Sequence, residues 1–452
     1  MLDYLITNAR IIDPESGGDF YGSLGIKGET IDCLFHSSSV LPSARETINA
    51  EGGILLPGFI DVHTHTENSI LCAEKILAMG VTTAVSGNCG HSSDNIETFL
   101  AKFDSGGYPV NQVEQIGYSV LRRGAGLDDI NRPAEAKHIE AMKLRAKEAF
   151  ASGACGISFG IEYTPGASVH EVTELAQLAA QEGRFISIHG RLESPSDLDS
   201  LREALDLALI TSAPLIYSHL VYMYYGENLK KALDIIEEYR AKCPNVWVDS
   251  GMYTAFTTVV RAPCFSESIF LDDAAKLSRL RAATGKYAGQ FLDKDKYLEM
   301  RKNFPNDSFI YEPGDPRDVF TAYESPDILV SSDCVEYKEG QGHPQAAATY
   351  PYFFRLLVQE TGKLPLLDAV RRCTLLPARA SGFTTKGRIS PGMDADLVIL
   401  DWDNLREHAD FPGKGDPGAP PSGVKHVFVN GVLSIQNEKR LIGSNGGRSI
   451  RR

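Results

Sequence analysis

Two histidines, His63 and His65, close an apolar run in the segment Pro57-Gly-Phe-Ile-Asp-Val-His-Thr-His65. In an extended strand, residues i and i+2 point to the same side. The spacing therefore aims two imidazoles in one direction from a strand end, a ready pair of ligands for a metal ion. Four further donors close or follow other apolar runs. Cys89 lies in Ser86-Gly-Asn-Cys-Gly90, His189 ends Phe185-Ile-Ser-Ile-His, His219 ends Leu215-Ile-Tyr-Ser-His, and Asp333 ends Ile328-Leu-Val-Ser-Ser-Asp. The chain has eleven histidines, and four of them fall at such ends, a concentration that isolated core histidines do not produce. Imidazole, thiolate and carboxylate donors are the set zinc prefers, at about 2.0–2.3 Å. Six donors can divide between two ions. A bound ion lowers the pKa of its water to about 7, which makes hydroxide available at neutral pH and removes the need for a protein nucleophile. Asp333 is then also the candidate general acid and base, taking the water's proton and passing it to a leaving amine. No Gly-x-x-x-x-Gly-Lys-Ser/Thr phosphate-binding loop occurs, and no convincing dinucleotide motif.

For these donors to meet, the strands that carry them must end on one side of one sheet. From Gly58 to about Arg379, short apolar runs alternate with longer helical segments. Candidate strands end at His63, Ser86, Tyr118, Phe159, His189, His219, Asp249 and Ser332. Candidate helices include Ala134–Ser152, Val169–Glu182, Asp197–Leu209 and Asn228–Lys242. Strand–helix alternation repeated eight times predicts an α/β fold, a (β/α)8 TIM barrel, whose chemistry sits at the C-terminal ends of the strands. A doubly wound sheet is the alternative. The interval after Asp249 is too long for one connection and predicts a lid-like insertion at about 255–310, with a charged helical piece at Asp272–Phe304. Residues 1–57 and 380–452 both read as short strands with turns, which predicts one small β-sandwich domain built from both chain ends beside a barrel over 58–379. The polar and basic Gly443–Arg452 is expected to fray.

The composition limits the partners. The chain has 452 residues, 43% hydrophobic and 23% charged, with a formal net charge of −14. That balance argues against general binding of nucleic acid or of anionic membranes. No apolar run reaches about 18 residues, so no membrane span is expected. The first residues lack the basic region and cleavage site of a leader, and the eight scattered cysteines read as reduced thiols. Together these predict a cytoplasmic location. Cys89 is the proposed ligand. Cys33, Cys72, Cys155, Cys243, Cys264 and Cys373 read as buried filler, and Cys334 is expected to point away from the site. The oligomeric state, a homo-oligomer included, is left open.

These motifs resemble the amidohydrolase superfamily and, within it, the N-acyl-D-amino-acid deacylase (D-aminoacylase) branch. The superfamily resemblance spans nearly the whole chain, from Gly58-Phe-Ile-Asp-Val-His-Thr-His65 to Gly387-Arg-Ile-Ser-Pro-Gly-Met-Asp-Ala-Asp-Leu-Val-Ile-Leu400. The branch is indicated by Ser86-Gly-Asn-Cys-Gly90, Gly160-Ile-Glu-Tyr-Thr-Pro-Gly166, Ser218-His219, and His343-Pro-Gln with Phe354-Arg355. The resemblance implies hydrolysis of the acyl amide of an N-acyl-D-amino acid or close analogue by a metal-bound hydroxide. It implies a tight zinc site at Cys89, His189 and His219, and a weaker second site at His63, His65 and Asp333. Cys89 takes the part that a carboxylated lysine plays elsewhere in the superfamily, with Glu162 a rival for it or else a carboxylate that orients its loop. The deacylases typically place a lysine two residues after the sixth-strand histidine, where it helps hold the substrate's carboxylate. Here that position is Val221. Arg191, Tyr253, Arg355 and Glu162 remain as the expected substrate-binding set. A cyclic amidase, hydantoinase-like or dihydroorotase-like, is the alternative reading, and a non-catalytic scaffold of the same fold is the third.

Overall fold

The computed structural model of the chain describes residues 1–37, 39–67, 69–104, 107–191, 197–335 and 337–452. Eight parallel strands among these residues form a barrel: β1 (Phe59–Asp61), β2 (Val81–Ser86), β3 (Asn111–Glu114), β4 (Gly156–Gly160), β5 (Phe185–His189), β6 (Leu215–Tyr217), β7 (Val246–Ser250) and β8 (Ile328–Val330). Parallel ladders join β1 to β3 and β4 to β8. Ile116–Gly117 extends the third strand onto β4, and the Cys155 amide donates to the Glu114 carbonyl. The ring closes where Thr64 bridges Cys334 in parallel, with the Asp333 and His65 amides donating to the carbonyls of His63 and Cys334.

The sequence builds this ring through the two-residue period of extended chain. In β5, Ile186 and Ile188 pack outward into the large core under the helices, while Phe185 points inward. Ile60, Val85, Val113, Phe185, Ile216 and Leu329 meet inside the barrel as an apolar plug. The plug fills the interior, so polar side chains are left to the C-terminal mouth. The surrounding helices bury one stripe each. Val169–Gln181 buries Val172, Leu175, Ala176 and Ala179 and starts with a reciprocal cap between Ser168 and Glu171.

Both chain ends join in one sheet of nine strands among the described residues. Ile54–Pro57 pairs antiparallel with Leu397–Leu400 at the seam between them. The alternation here is buried on both faces. Ile54, Leu56, Val398 and Leu400 belong to the barrel core, whereas Leu55, Leu397 and Ile399 belong to a separate core with Ile6, Ile11, Leu24, Ile26 and Phe428. The interval after β7 folds around a three-stranded antiparallel sheet, Phe256–Val259, Leu280–Ala282 and Ser308–Tyr311, and the charged helical piece expected at Asp272–Phe304 includes the helix Lys294–Asn303. It has its own core of Phe265, Phe270, Leu280, Tyr297, Met300 and Phe309.

The expectation of a frayed C-terminus is corrected. The Gly447 amide and carbonyl pair with Tyr108, the Ile450 amide donates to the Gln112 carbonyl, and Arg451 pairs with Asp104 at 2.7 Å and Glu97 at 3.2 Å. The polar tail runs along β3, where its backbone pairs with Tyr108 and Gln112, and Arg451 reaches the carboxylates of the helix Ile96–Asp104. Among the described residues no helix is long and apolar enough to cross a membrane.

Candidate metal centre

All six sequence-predicted donors converge at the barrel mouth. The Cys89 sulfur lies 3.3 Å from His63 Nε2, 3.5 Å from His189 Nδ1 and 3.7 Å from His219 Nε2. Asp333 Oδ1 lies 3.4 Å from His65 Nε2 and 3.7 Å from His63 Nε2. His63 therefore belongs to both groups, His63–Cys89–His219 and His63–His65–Asp333. This geometry differs from the expected division, in which His63 stood only with His65 and Asp333.

Local structure fixes each donor. His63 and His65 leave β1 in extended alternation. Cys89 sits in the turn after β2, and the Asn88 side-chain Nδ2 holds that turn by donating to the carbonyls of Val62, Thr64 and Val85. The turn lies so close to β4 that a Cβ on Gly160 would stand 2.0 Å from the Cys89 carbonyl oxygen, and only glycine fits there. Cys89, His219 and Asp333 have φ of +53°, +38° and +47°. Non-glycine residues rarely adopt this region, at a cost of about 1–3 kcal/mol each, and such strain collects at functional sites. His189 Nε2 is 2.8 Å from Glu162 Oε2, which turns Nδ1 toward Cys89. His63 Nδ1 is 3.3 Å from Asp249 Oδ2, and Asp249 also accepts from the His219 amide and the Ser331 hydroxyl. Glu67 lies 3.8 Å from His65 Nδ1 and accepts from the Gly87 amide. Carboxylates behind imidazoles in this way orient metal-binding histidines.

The electrostatics favour a cation. Burial alone would push the Cys89 thiol up, but His63 and His189 outweigh it and hold the thiol well below its ordinary range. Burial would lower His189, yet Cys89 and Glu162 push it up to about 10. His63, beside Cys89 and Asp249, and His65, beside Asp333, are likewise raised against the effect of burial. Asp333 is lowered against burial by His65 and His63. A pocket that shifts these five groups in this sense stabilises positive charge, and a metal ion answers the same field.

The donor spacing fits a tetrahedral ion as well. Zn–S and Zn–N bonds of about 2.3 and 2.05 Å at the tetrahedral angle put sulfur and nitrogen about 3.5 Å apart. The Cys89 distances bracket that value. His219 Nδ1 is also buried without a hydrogen-bond partner among the described residues.

A cavity of about 760 Å³ opens over the donors. One wall is the barrel mouth, with His65, Cys89, Glu162, His189, His219 and Asp333. The other wall is the insertion, with Phe256, Val259, Ile269, Phe270 and Tyr311. Of the expected substrate-binding residues, Glu162 lies on this cavity. Arg191 does not line it: it pairs with Glu203 at 3.3 Å and donates to the carbonyls of Pro165 and Ala167, pinning the loop after β4. Arg355 does not line it either, because Glu407 and Glu360 hold its guanidinium. The Tyr253 ring packs on His343 and Phe411, off the cavity wall. These three assignments are corrected for one physical reason, that each side chain is committed to partners distant in sequence. Cys264, expected as filler, lines the cavity beside Glu162.

The sequence reading missed Asp249, Asn88 and Glu67 as supports, and Tyr163 and Tyr222 as walls. Asp249 carried the same signal as Asp333, a carboxylate closing an apolar strand.

Residues 54–285 match the family model described as "Amidohydrolase family", and residues 344–434 match a second model of the same description. The chain is 27% identical to the D-aminoacylase of Alcaligenes xylosoxydans xylosoxydans over 488 residues, covering 100% of this chain and 98% of that protein. It superposes with a TM-score of 0.88 and 25% identity on the N-acyl-D-glutamate deacylase of Bordetella bronchiseptica, solved with zinc and a phosphonate inhibitor, covering 100% of each chain. A D-hydantoinase from Thermus sp. matches at a TM-score of 0.65 and 18% identity over 99% of each chain, a likeness of fold alone.

Proposed function

This chain belongs to the amidohydrolase family, and we propose that it is a zinc-dependent hydrolase that cleaves the acyl amide of N-acyl-D-amino acids or close analogues. The observation that carries this reading is the Cys89 sulfur ringed by three imidazoles, with Asp333 and His65 beside them. Zinc held there supplies Lewis acidity, polarising the amide carbonyl and making its water acidic enough to ionise near neutral pH.

The remaining work falls to side chains. Cys89, His189 and His219 form the tighter ligand set and His65 and Asp333 the weaker one, with His63 within reach of both. Asp333, kept ionised by His65 and His63, takes the proton of the attacking water and returns it to the amine as the carbon–nitrogen bond breaks. Glu162 and Asp249 hold the imidazole rings in register. The insertion closes the cavity as a lid over the reacting amide and limits access of bulk water. The eight scattered cysteines read as reduced thiols, and a reducing, cytoplasmic location belongs to the same reading.

The test is a panel of N-acetyl and N-formyl D- and L-amino acids assayed with zinc, beside hydantoin and dihydrouracil. D-selective release of acetate or formate is expected. Ring opening without deacylation would favour the cyclic-amidase reading, and turnover of the L-series alone would overturn the stereochemical claim.

A further inference from the structure

An N-acyl amino acid brings a carboxylate to a protein of net charge −14, into a cavity whose inner end already carries Glu162 and Asp333. Among the described residues the barrel wall offers it no lysine or arginine: position 221 is valine, and Arg191 and Arg355 are held by glutamates outside the cavity wall. Among the described residues, the Lys and Arg side chains on the cavity wall are Arg261 and Lys276, both from the insertion.

Arg261 stands between two stretches that touch the metal centre. Three residues before it, Thr258 hydrogen-bonds Tyr163, whose ring centroid is 4.9 Å from that of His189. Three residues after it, Cys264 hydrogen-bonds Glu162, which is 2.8 Å from His189 Nε2. On both flanks the chain is thus one side chain removed from a metal ligand, and the long side chain at 261 borders the space between. The guanidinium donates to Asn306 Oδ1, which orients it, and it forms no ion pair among the described residues. Lys276 is weakly engaged instead, 3.9 Å from Asp273.

Resting on the deacylase reading above, we propose that Arg261 grips the carboxylate of the substrate and determines selectivity for the free acid, in place of the lysine that related deacylases carry two residues after the sixth-strand histidine. Its fork of N–H donors matches a carboxylate in two-point contact. The insertion then contributes the recognition charge that the barrel lacks.

The experiment uses the zinc-loaded full chain and the N-acetyl-D-amino acid turned over fastest in the panel above, paired with its carboxamide. Acetate release is followed for the wild type, Arg261→Gln and Lys276→Gln. A charged hydrogen-bonded contact supports a preference of the wild type for the acid of about 10–100-fold in kcat/KM. Arg261→Gln is expected to bring the acid-to-carboxamide ratio close to one, chiefly through a higher KM for the acid, while Lys276→Gln keeps the preference. The proposal is overturned if the wild type turns over both compounds equally, if Arg261→Gln keeps the preference, or if Lys276→Gln alone removes it. Failure of the wild type to release acetate from any D-substrate overturns the deacylase reading itself, and this proposal with it.

Discussion

The two walls of the cavity are built differently. The donor wall is made of strand ends and tight turns of the barrel, with His63 fully buried and Cys89 and His219 nearly so. Each donor there is fixed by a neighbour from another strand, as Asn88 ties the Cys89 turn to β1 and β2, and Asp249 joins His63 to the His219 amide. The opposite wall is an inserted sheet with its own core, and it approaches the donors through its Cys264 and through the intervening barrel side chains Tyr163 and Tyr222. On the proposed reading, bond-breaking chemistry falls to the rigid ring, and recognition to a unit that can vary without disturbing it.

Substitutions can test that division, starting with the largest effect. Asp333→Asn removes the proposed proton carrier and is expected to lower kcat by about 10²–10⁴-fold. Metal analysis of the same variant should show that the metal at Cys89, His189 and His219 stays, and loss of all metal would show that the two ligand groups are not separable. Asp249→Asn leaves the six donors intact but releases His63, so metal affinity measured by chelator competition should fall by about 10–100-fold. An unchanged affinity would make Asp249 a purely structural link to Ser331. Phe270→Ala opens the insertion core, where Phe270 is 1% exposed and packs 5.1 Å from Tyr311 and 5.9 Å from Phe265 between ring centroids. Such truncations cost about 3–5 kcal/mol. Limited proteolysis should cut first in the insertion, with KM raised and metal content kept. Metal loss in this variant would break the division between the walls.

How much of this was legible in the sequence depended on the range of the interactions involved. The donors were readable because strand alternation and residue type are local, and the barrel topology brings eight strand ends to one mouth. Helices were readable for the same reason: Val169–Gln181 and Ala136–Ala151 lie within a few residues of the expected Val169–Glu182 and Ala134–Ser152. The substrate-binding arginines were not readable. Arg355 is fixed by Glu407, 52 residues away, and nothing in the residues around Arg355 announces that pairing. The tail misled in the same way, since its polar residues pair with backbone and carboxylates around β3 more than 300 residues earlier. The charged helical piece expected at Asp272–Phe304 is there as the helix Lys294–Asn303, but Phe265, Phe270, Tyr297 and Phe309 assemble a core whose members are too scattered for periodicity to reveal.

The most direct test of the central claim is stepwise zinc reconstitution. The protein is stripped with a chelator and dialysed, and bound metal and amide hydrolysis are measured together as zinc is returned. The account predicts that turnover disappears with the metal, returns in proportion to the zinc bound, and does not return in Cys89→Ala. Full turnover by a chelated protein with no detectable transition metal would contradict it.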